Sequence, residues 1–287
     1  MSLSVQIGLL FALATAMASI VGFLYKHRGA VASPPVTLRA PISSSLALLR
    51  SRWYVLGILI AIGGWGLHVV ALALAPISLV QSVIAGGLVF LTVAADRLFG
   101  LQVSRREWLG VVACAVGLSF LAATLSGVGR DSASHYADPT LWRFTIGAAV
   151  AGVLLAAASR RLNQATALAL SAGLLWGASD VSIKALSGQL GANGVGVLLT
   201  PLALAILALS LVGFSISGRS LQIGEPVAVI AATSAAANLV TISAGPAVFG
   251  EPLPSGTLAL GVHVVAFALV VIAAALTPPP VRALSVP

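Results

Sequence analysis

The chain has 287 residues, of which 59% are hydrophobic and 8% charged, with a formal net charge of +8. So little polar surface cannot cover so much apolar surface in water, which excludes an ordinary soluble globule and makes lipid the outer solvent. The positive charge calls for no nucleic-acid partner, because most Lys and Arg fall between apolar runs, as they do on the cytoplasmic side of membrane proteins.

A hydrocarbon core about 30 Å thick is crossed by roughly 20 apolar residues in a helix. Nine stretches have that character: residues 5–24, 53–74, 77–98, 108–125, 141–158, 165–186, 195–217, 226–249 and 257–276. Each must be helical, because hydrocarbon offers backbone groups no partners, and none shows the strict alternation of a transmembrane β-strand. The expected fold class is all-α, a polytopic membrane protein with about nine transmembrane helices.

Basic residues orient the bundle. With the N-terminus outside, twelve of them (Lys26, Arg28, Arg39, Arg50, Arg52, Arg97, Arg105, Arg106, Arg160, Arg161, Arg219 and Arg282) fall inside, and three (Arg130, Arg143 and Lys184) fall outside. The reverse placement breaks the rule at nearly every loop. The expectation is a multi-pass protein of the plasma or inner membrane with its N-terminus outside and its C-terminus cytoplasmic. The first span carries Lys26, His27 and Arg28 after its apolar run rather than before it, unlike a signal peptide, and is read as a retained helix.

Between the first two spans, residues 25–52 contain Ser33-Pro34-Pro35 and a short apolar piece, 46–49, which is too short to cross and suits the interface. Gly63-Gly64-Trp65-Gly66 in the second span, Gly86-Gly87 in the third and Gly245-Pro246 in the eighth mark weakened helix or close packing, and Gly173 with Gly177 forms a small-xxx-small face in the sixth. Cys114, alone in the chain, reads as a packing residue. The outer loop 126–140 holds Asp131, His135 and Asp138 without the spacing of metal ligands, and neither metal nor cofactor is expected.

The chain also repeats itself weakly. Ala18-Ser19-Ile20-Val21 leading to Lys26 matches Ala178-Ser179-Asp180-Val181 leading to Lys184, and Asp96-Arg97-Leu98 before Leu109-Gly110 matches Glu251-Pro252-Leu253 before Leu260-Gly261. The expected organisation is a first repeat at 1–126, an outer loop and linker helix at 127–163, a second repeat at 164–277 and a cytoplasmic tail at 278–287. One connecting helix between two four-helix units inverts the second relative to the first, the mark of secondary transporters.

Ionisable groups inside a span cost about 2.5–3.5 kcal/mol near the bilayer centre on insertion scales, which makes them functional candidates. Asp180 and Lys184 form an i,i+4 pair in the sixth span, read either as neutralised for insertion or as a responsive carboxylate facing a cavity. His68 and His263 place titratable imidazoles in the second and ninth spans. Gln81 and Asn238 occupy corresponding places in the two repeats, suited to interhelical bonding or to a solute, and Trp65 and Trp176 lie deep enough to wall an organic ligand. Asp96 and Glu251 close the third and eighth spans; Asp96 reads as interfacial, and Glu251 as an anchor or a gate.

Several of these segments resemble a known group. Ala71-Leu72-Ala73-Leu74-Ala75-Pro76-Ile77-Ser78-Leu79-Val80, with Asp96-Arg97-Leu98, Leu109-Gly110 and Gly117, resembles the drug/metabolite transporter superfamily, with the NIPA-type magnesium transporters as its nearest branch. Gly173-Leu174-Leu175-Trp176-Gly177-Ala178-Ser179 and Gly245-Pro246-Ala247-Val248-Phe249-Gly250-Glu251-Pro252-Leu253 resemble the opening and penultimate helices of an EamA-like repeat. The resemblance implies a transporter with nine helices. Where the NIPA pattern has Gly-Glu and Asn-Phe, however, this chain has Gly64-Trp65 and His68-Val69, so the carboxylate expected of a Mg²⁺ site is missing.

The resulting expectation is a carrier that moves a small solute by alternating access, with divalent-cation transport and flipping of a lipid-linked substrate as competing readings. No enzyme motif is present: there is no His-Glu-x-x-His, catalytic aspartate pair, Ser/His/Asp set or nucleotide loop. The expected partners are a small-molecule or ion substrate and the bilayer, with a homodimer left open.

Overall fold

A computed structural model describes residues 3–36, 41–86, 136, 138–251 and 256–275, together with 105 and 109. Every regular element among them is helical: α1 Leu3–Val31, α2 Pro41–Leu48, α3 Arg52–Leu74, α4 Ile77–Gly86, α5 Asp138–Ala158, α6 Gln164–Asn193, α7 Pro201–Ile223, α8 Pro226–Val248 and α9 Thr257–Ala275. Short 3₁₀ turns, Ser159–Arg161 and Gly194–Leu199, follow α5 and α6. Six helices (α1, α3, α5, α6, α7 and α8) are long and apolar enough to cross a membrane, and they indicate a multi-pass membrane protein. The span at 108–125, Cys114, Asp96, Asp131, His135 and the tail lie outside the described residues, as does the third span beyond Gly86.

Helix ends follow local chemistry. The Ser51 hydroxyl accepts from the Tyr54 N–H, the Thr200 hydroxyl accepts from Ala203, and Pro201 and Pro226 stand in the first turns of α7 and α8. Three helices differ from the sequence reading by more than a turn: α1 continues to Val31, α6 continues to Asn193, and α7 runs Pro201–Ile223 rather than 195–217, because a 3₁₀ turn, Gly194–Leu199, precedes it. Lys26, expected in a cytoplasmic loop, therefore lies inside α1.

Helix α3 is continuous through Gly63-Gly64-Trp65-Gly66, so this glycine run is no break. Glycine is required where helices cross: a Cβ on Gly57 would stand 2.6 Å from the Gly22 carbonyl oxygen of α1, and one on Gly173 would stand 2.7 Å from the Ala236 Cβ of α8.

Helix α1 packs on α3 and α4, while α6 packs on α7 and α8; across the molecule α4 meets α8, α1 meets α7, and α3 meets α6. Helix α5 lies outside on α6, where the Ser171 hydroxyl donates to the Gly152 carbonyl at 2.7 Å. Exposed side chains such as Leu59, Ile62, Val150, Leu154, Leu204 and Leu211 make an apolar outer surface suited to lipid, whereas α6 and α8 are the most buried of the six long helices.

The corner between α3 and α4 is held by two ionisable residues from the other half of the chain. The Lys184 ammonium of α6 donates to the carbonyls of Leu72 at 2.7 Å and Ala75 at 3.0 Å. The Ile77 N–H donates to the Glu251 carboxylate at 2.8 Å. Cation at a helix C-terminus and anion at a helix N-terminus are each the favourable placement. Local backbone geometry positions Glu251: Gly250 takes the left-handed φ of +62° that closes α8, and the Glu251 N–H bonds the Gly245 carbonyl at 3.1 Å. Glu251 is thus an anchor in this structure. Lys184, read as partner to Asp180, donates to these two carbonyls.

Candidate functional site

Between the two groups of helices lies a cavity of about 370 Å³, within the range of small-molecule sites. Helices α1, α3, α4, α6, α7 and α8 all contribute to its wall, so no short stretch of chain encodes it. Six of the residues singled out from sequence line it: Trp65 and His68 from α3, Gln81 from α4, Trp176 and Asp180 from α6, and Asn238 from α8. Lys184 is not part of the lining. His263 lies in α9, and its side chain is outside the described residues.

One end of the cavity holds a polar triad. His68 Nε2 lies 3.3 Å from the Asp180 carboxylate and 3.5 Å from the Gln81 amide nitrogen. A lone pair on Nε2 would face the carboxylate's negative charge, so the stable arrangement protonates Nε2, which donates to Asp180, and turns the Gln81 amide oxygen toward the ring. His68 Nδ1 has no hydrogen-bond partner among the described residues.

Apart from Lys26 and Asn238, the remaining wall is apolar or hydroxylic. Phe23 and Trp176 meet with ring centroids 5.7 Å apart, and Phe214 stands 5.9 Å from Tyr54 at a steep angle. Ser179 and Ser210 hydroxyls share a 3.2 Å bond across α6 and α7. Thr15 and Thr233 donate to carbonyls four residues back, to Phe11 at 2.9 Å and Val229 at 2.8 Å, which keeps their oxygens available as acceptors toward the cavity. Ser19 and Ser179 both reach the lining.

Sequence reasoning missed Lys26, counted as a topology label. Its side chain is buried and lines the cavity. Nothing in the local sequence separates it from Arg28 two residues on; only the course of α1 against α3 and the proximity of Trp176 turn it inward. Among the described residues no three His, Cys, Asp or Glu side chains converge as a metal-holding group.

A multi-pass helical membrane protein with a polar pocket between packed helix groups is the class these features define. No family model matches the chain, and no solved structure matches it significantly. It is distantly similar to a protein of Arabidopsis thaliana named probable magnesium transporter NIPA9, with 26% identity over 259 residues, or 85% of this chain and 73% of the relative. It is also similar to an uncharacterized protein of Corynebacterium glutamicum, with 28% identity over 258 residues, or 85% of each chain.

Proposed function

We propose that this chain is a secondary carrier of the drug/metabolite type that moves a small organic solute across the cell membrane by alternating access. The observation that carries the reading is the cavity itself, whose polar groups come from both groups of helices at the interface a rocking motion would open and close. The packing supports it: α1 with α3 and α4 has its counterpart in α6 with α7 and α8, and the cross-contacts α1 to α7 and α3 to α6 are exchanged by the same correspondence. In this reading the first repeat is α1 to the end of the fourth span, α5 connects, and the second repeat is inverted. The His68–Asp180 pair couples transport to protons or ions, and distant similarity to a transporter agrees with a non-enzymatic role.

The relative named as a probable magnesium transporter favours a second reading, Mg²⁺ transport. The donor set argues for the first. Mg²⁺ is usually held by one or two carboxylates with retained waters, whereas the only carboxylate among the described lining residues is Asp180, already in contact with His68, and an ammonium shares the same cavity.

Purified protein in proteoliposomes tests the two directly. Counterflow of radiolabelled organic acids, amino acids and nucleosides is measured beside Mg²⁺ entry reported by a trapped indicator. We expect exchange of an organic solute, reduced by Asp180→Asn and responsive to an imposed pH gradient. Mg²⁺ entry with no organic exchange would establish the second reading; exchange indifferent to Asp180→Asn and to pH would remove the coupling role.

A further inference from the structure

Lys26 sits in the cavity with only 7% of its surface exposed. Its ammonium lies 3.9 Å from the Phe23 ring centroid and 5.5 Å from that of Trp176. Among the described residues it makes no hydrogen bond and no ion pair. An ammonium has three donors, and aromatic faces compensate only part of the loss of water. The three other charged side chains of the interior among the described residues are engaged: Lys184 bonds carbonyls of the α3 end, Glu251 accepts from the Ile77 N–H, and Asp180 contacts His68. Lys26 is therefore, among the described lining residues, the charge without a hydrogen-bonding or ionic partner.

Its place on the helix matters as well. Thr15, on the same wall, is eleven residues earlier in α1, so about 16 Å of helix axis separates the two backbone positions. The aromatic rings of Phe23, Trp176 and Phe214 line the same cavity. Asn238, 4% exposed, also has no side-chain hydrogen bond among the described residues and lines the same cavity.

We infer that Lys26 is an anion-recognition point: the solute carries a carboxylate or phosphate group that pairs with this ammonium, and an apolar, planar body that lies against Trp176 and Phe23. This deepens the carrier reading and rests on it for the word solute, although the anion site itself does not. The pairing supplies the charge-assisted bonds the ammonium lacks, and the rings beside it favour a flat apolar group over a strongly hydrated one. A free organic anion and a lipid headgroup share this chemistry.

The test uses the full chain in phosphatidylcholine nanodiscs, with phenylacetate, its uncharged amide phenylacetamide, and inorganic phosphate as probes. Binding is read by thermal stabilisation and by quenching of tryptophan fluorescence. We expect phenylacetate to bind, phenylacetamide to bind far more weakly, and Lys26→Met, which keeps the apolar stem beside Gly57, to weaken phenylacetate by about tenfold or more while Lys26→Arg retains it. Inorganic phosphate competing with phenylacetate marks a soluble anion as the source; phosphatidylglycerol in the disc competing instead marks a lipid headgroup. Both support the site. Equal binding of phenylacetate to wild type and Lys26→Met, equal binding of acid and amide, or binding of no anion at all would overturn it. Proteoliposome counterflow of a neutral or cationic solute by wild type and Lys26→Met alike would overturn the anion site and leave the carrier intact. Lys26-dependent anion binding with no solute exchanged would keep the anion site and remove the carrier. Size-exclusion profile and melting temperature confirm that each variant is folded.

Discussion

Replacing Lys184 by Met removes both bonds to the end of α3 while keeping an unbranched apolar stem in the same space. The ammonium makes hydrogen bonds of 2.7 and 3.0 Å to the Leu72 and Ala75 carbonyls. Each charge-assisted bond contributes about 1.5 kcal/mol at the low end of its range. The lost bonds leave carbonyls without that donor, while removing a buried charge relieves its desolvation, so the net loss is about 2–3 kcal/mol. At roughly 2–4 °C per kcal/mol, the melting temperature in detergent should fall by roughly 5–10 °C. Tryptophan fluorescence during heating, checked by loss of helical circular dichroism, reads this directly. Glu251→Gln should be milder, because the amide oxygen still accepts from the Ile77 N–H. A Lys184→Met protein melting within about 1 °C of wild type would refute the view that this residue anchors the corner.

Glycine substitutions should split by location. Gly173→Ala inserts a methyl against the backbone of α8 and should destabilise by about 1–3 kcal/mol, whereas Gly63→Ala, with nothing within 4 Å of the new Cβ, should be neutral or slightly stabilising. Melting temperatures of the two variants decide it, and equal losses would contradict the crossing geometry. Orientation is tested with a cysteine-free background: Ser33→Cys should react with an impermeant maleimide only from the cytoplasmic side, and Leu199→Cys only from outside. The opposite labelling would invert the topology.

The six long helices were legible because their signal is one-dimensional: length and apolarity follow from the thickness of lipid and need no tertiary information. Six site residues were legible for a related reason, since an amide, imidazole, carboxylate or indole inside an apolar run stands out against its surroundings. Partnerships were not. The i,i+4 spacing suggested Asp180 with Lys184, and gave no sign that the facing α3 end brings His68 to Asp180 and the Leu72 and Ala75 carbonyls to Lys184. Serine and threonine in the wall gave no warning, because in a helix they satisfy themselves on the preceding turn and look like ordinary small residues.

By itself, then, the amino-acid order determined the solvent, the helices and their extent to within a turn or two, since each depends on transfer of a contiguous segment from water to hydrocarbon. Tertiary structure alone decided which way Lys26 points, which carbonyls Lys184 serves and what Glu251 holds. Those outcomes depend on distances between helices far apart along the chain, and a charged side chain buried in low dielectric binds whatever polar group the neighbouring helix brings within about 3 Å.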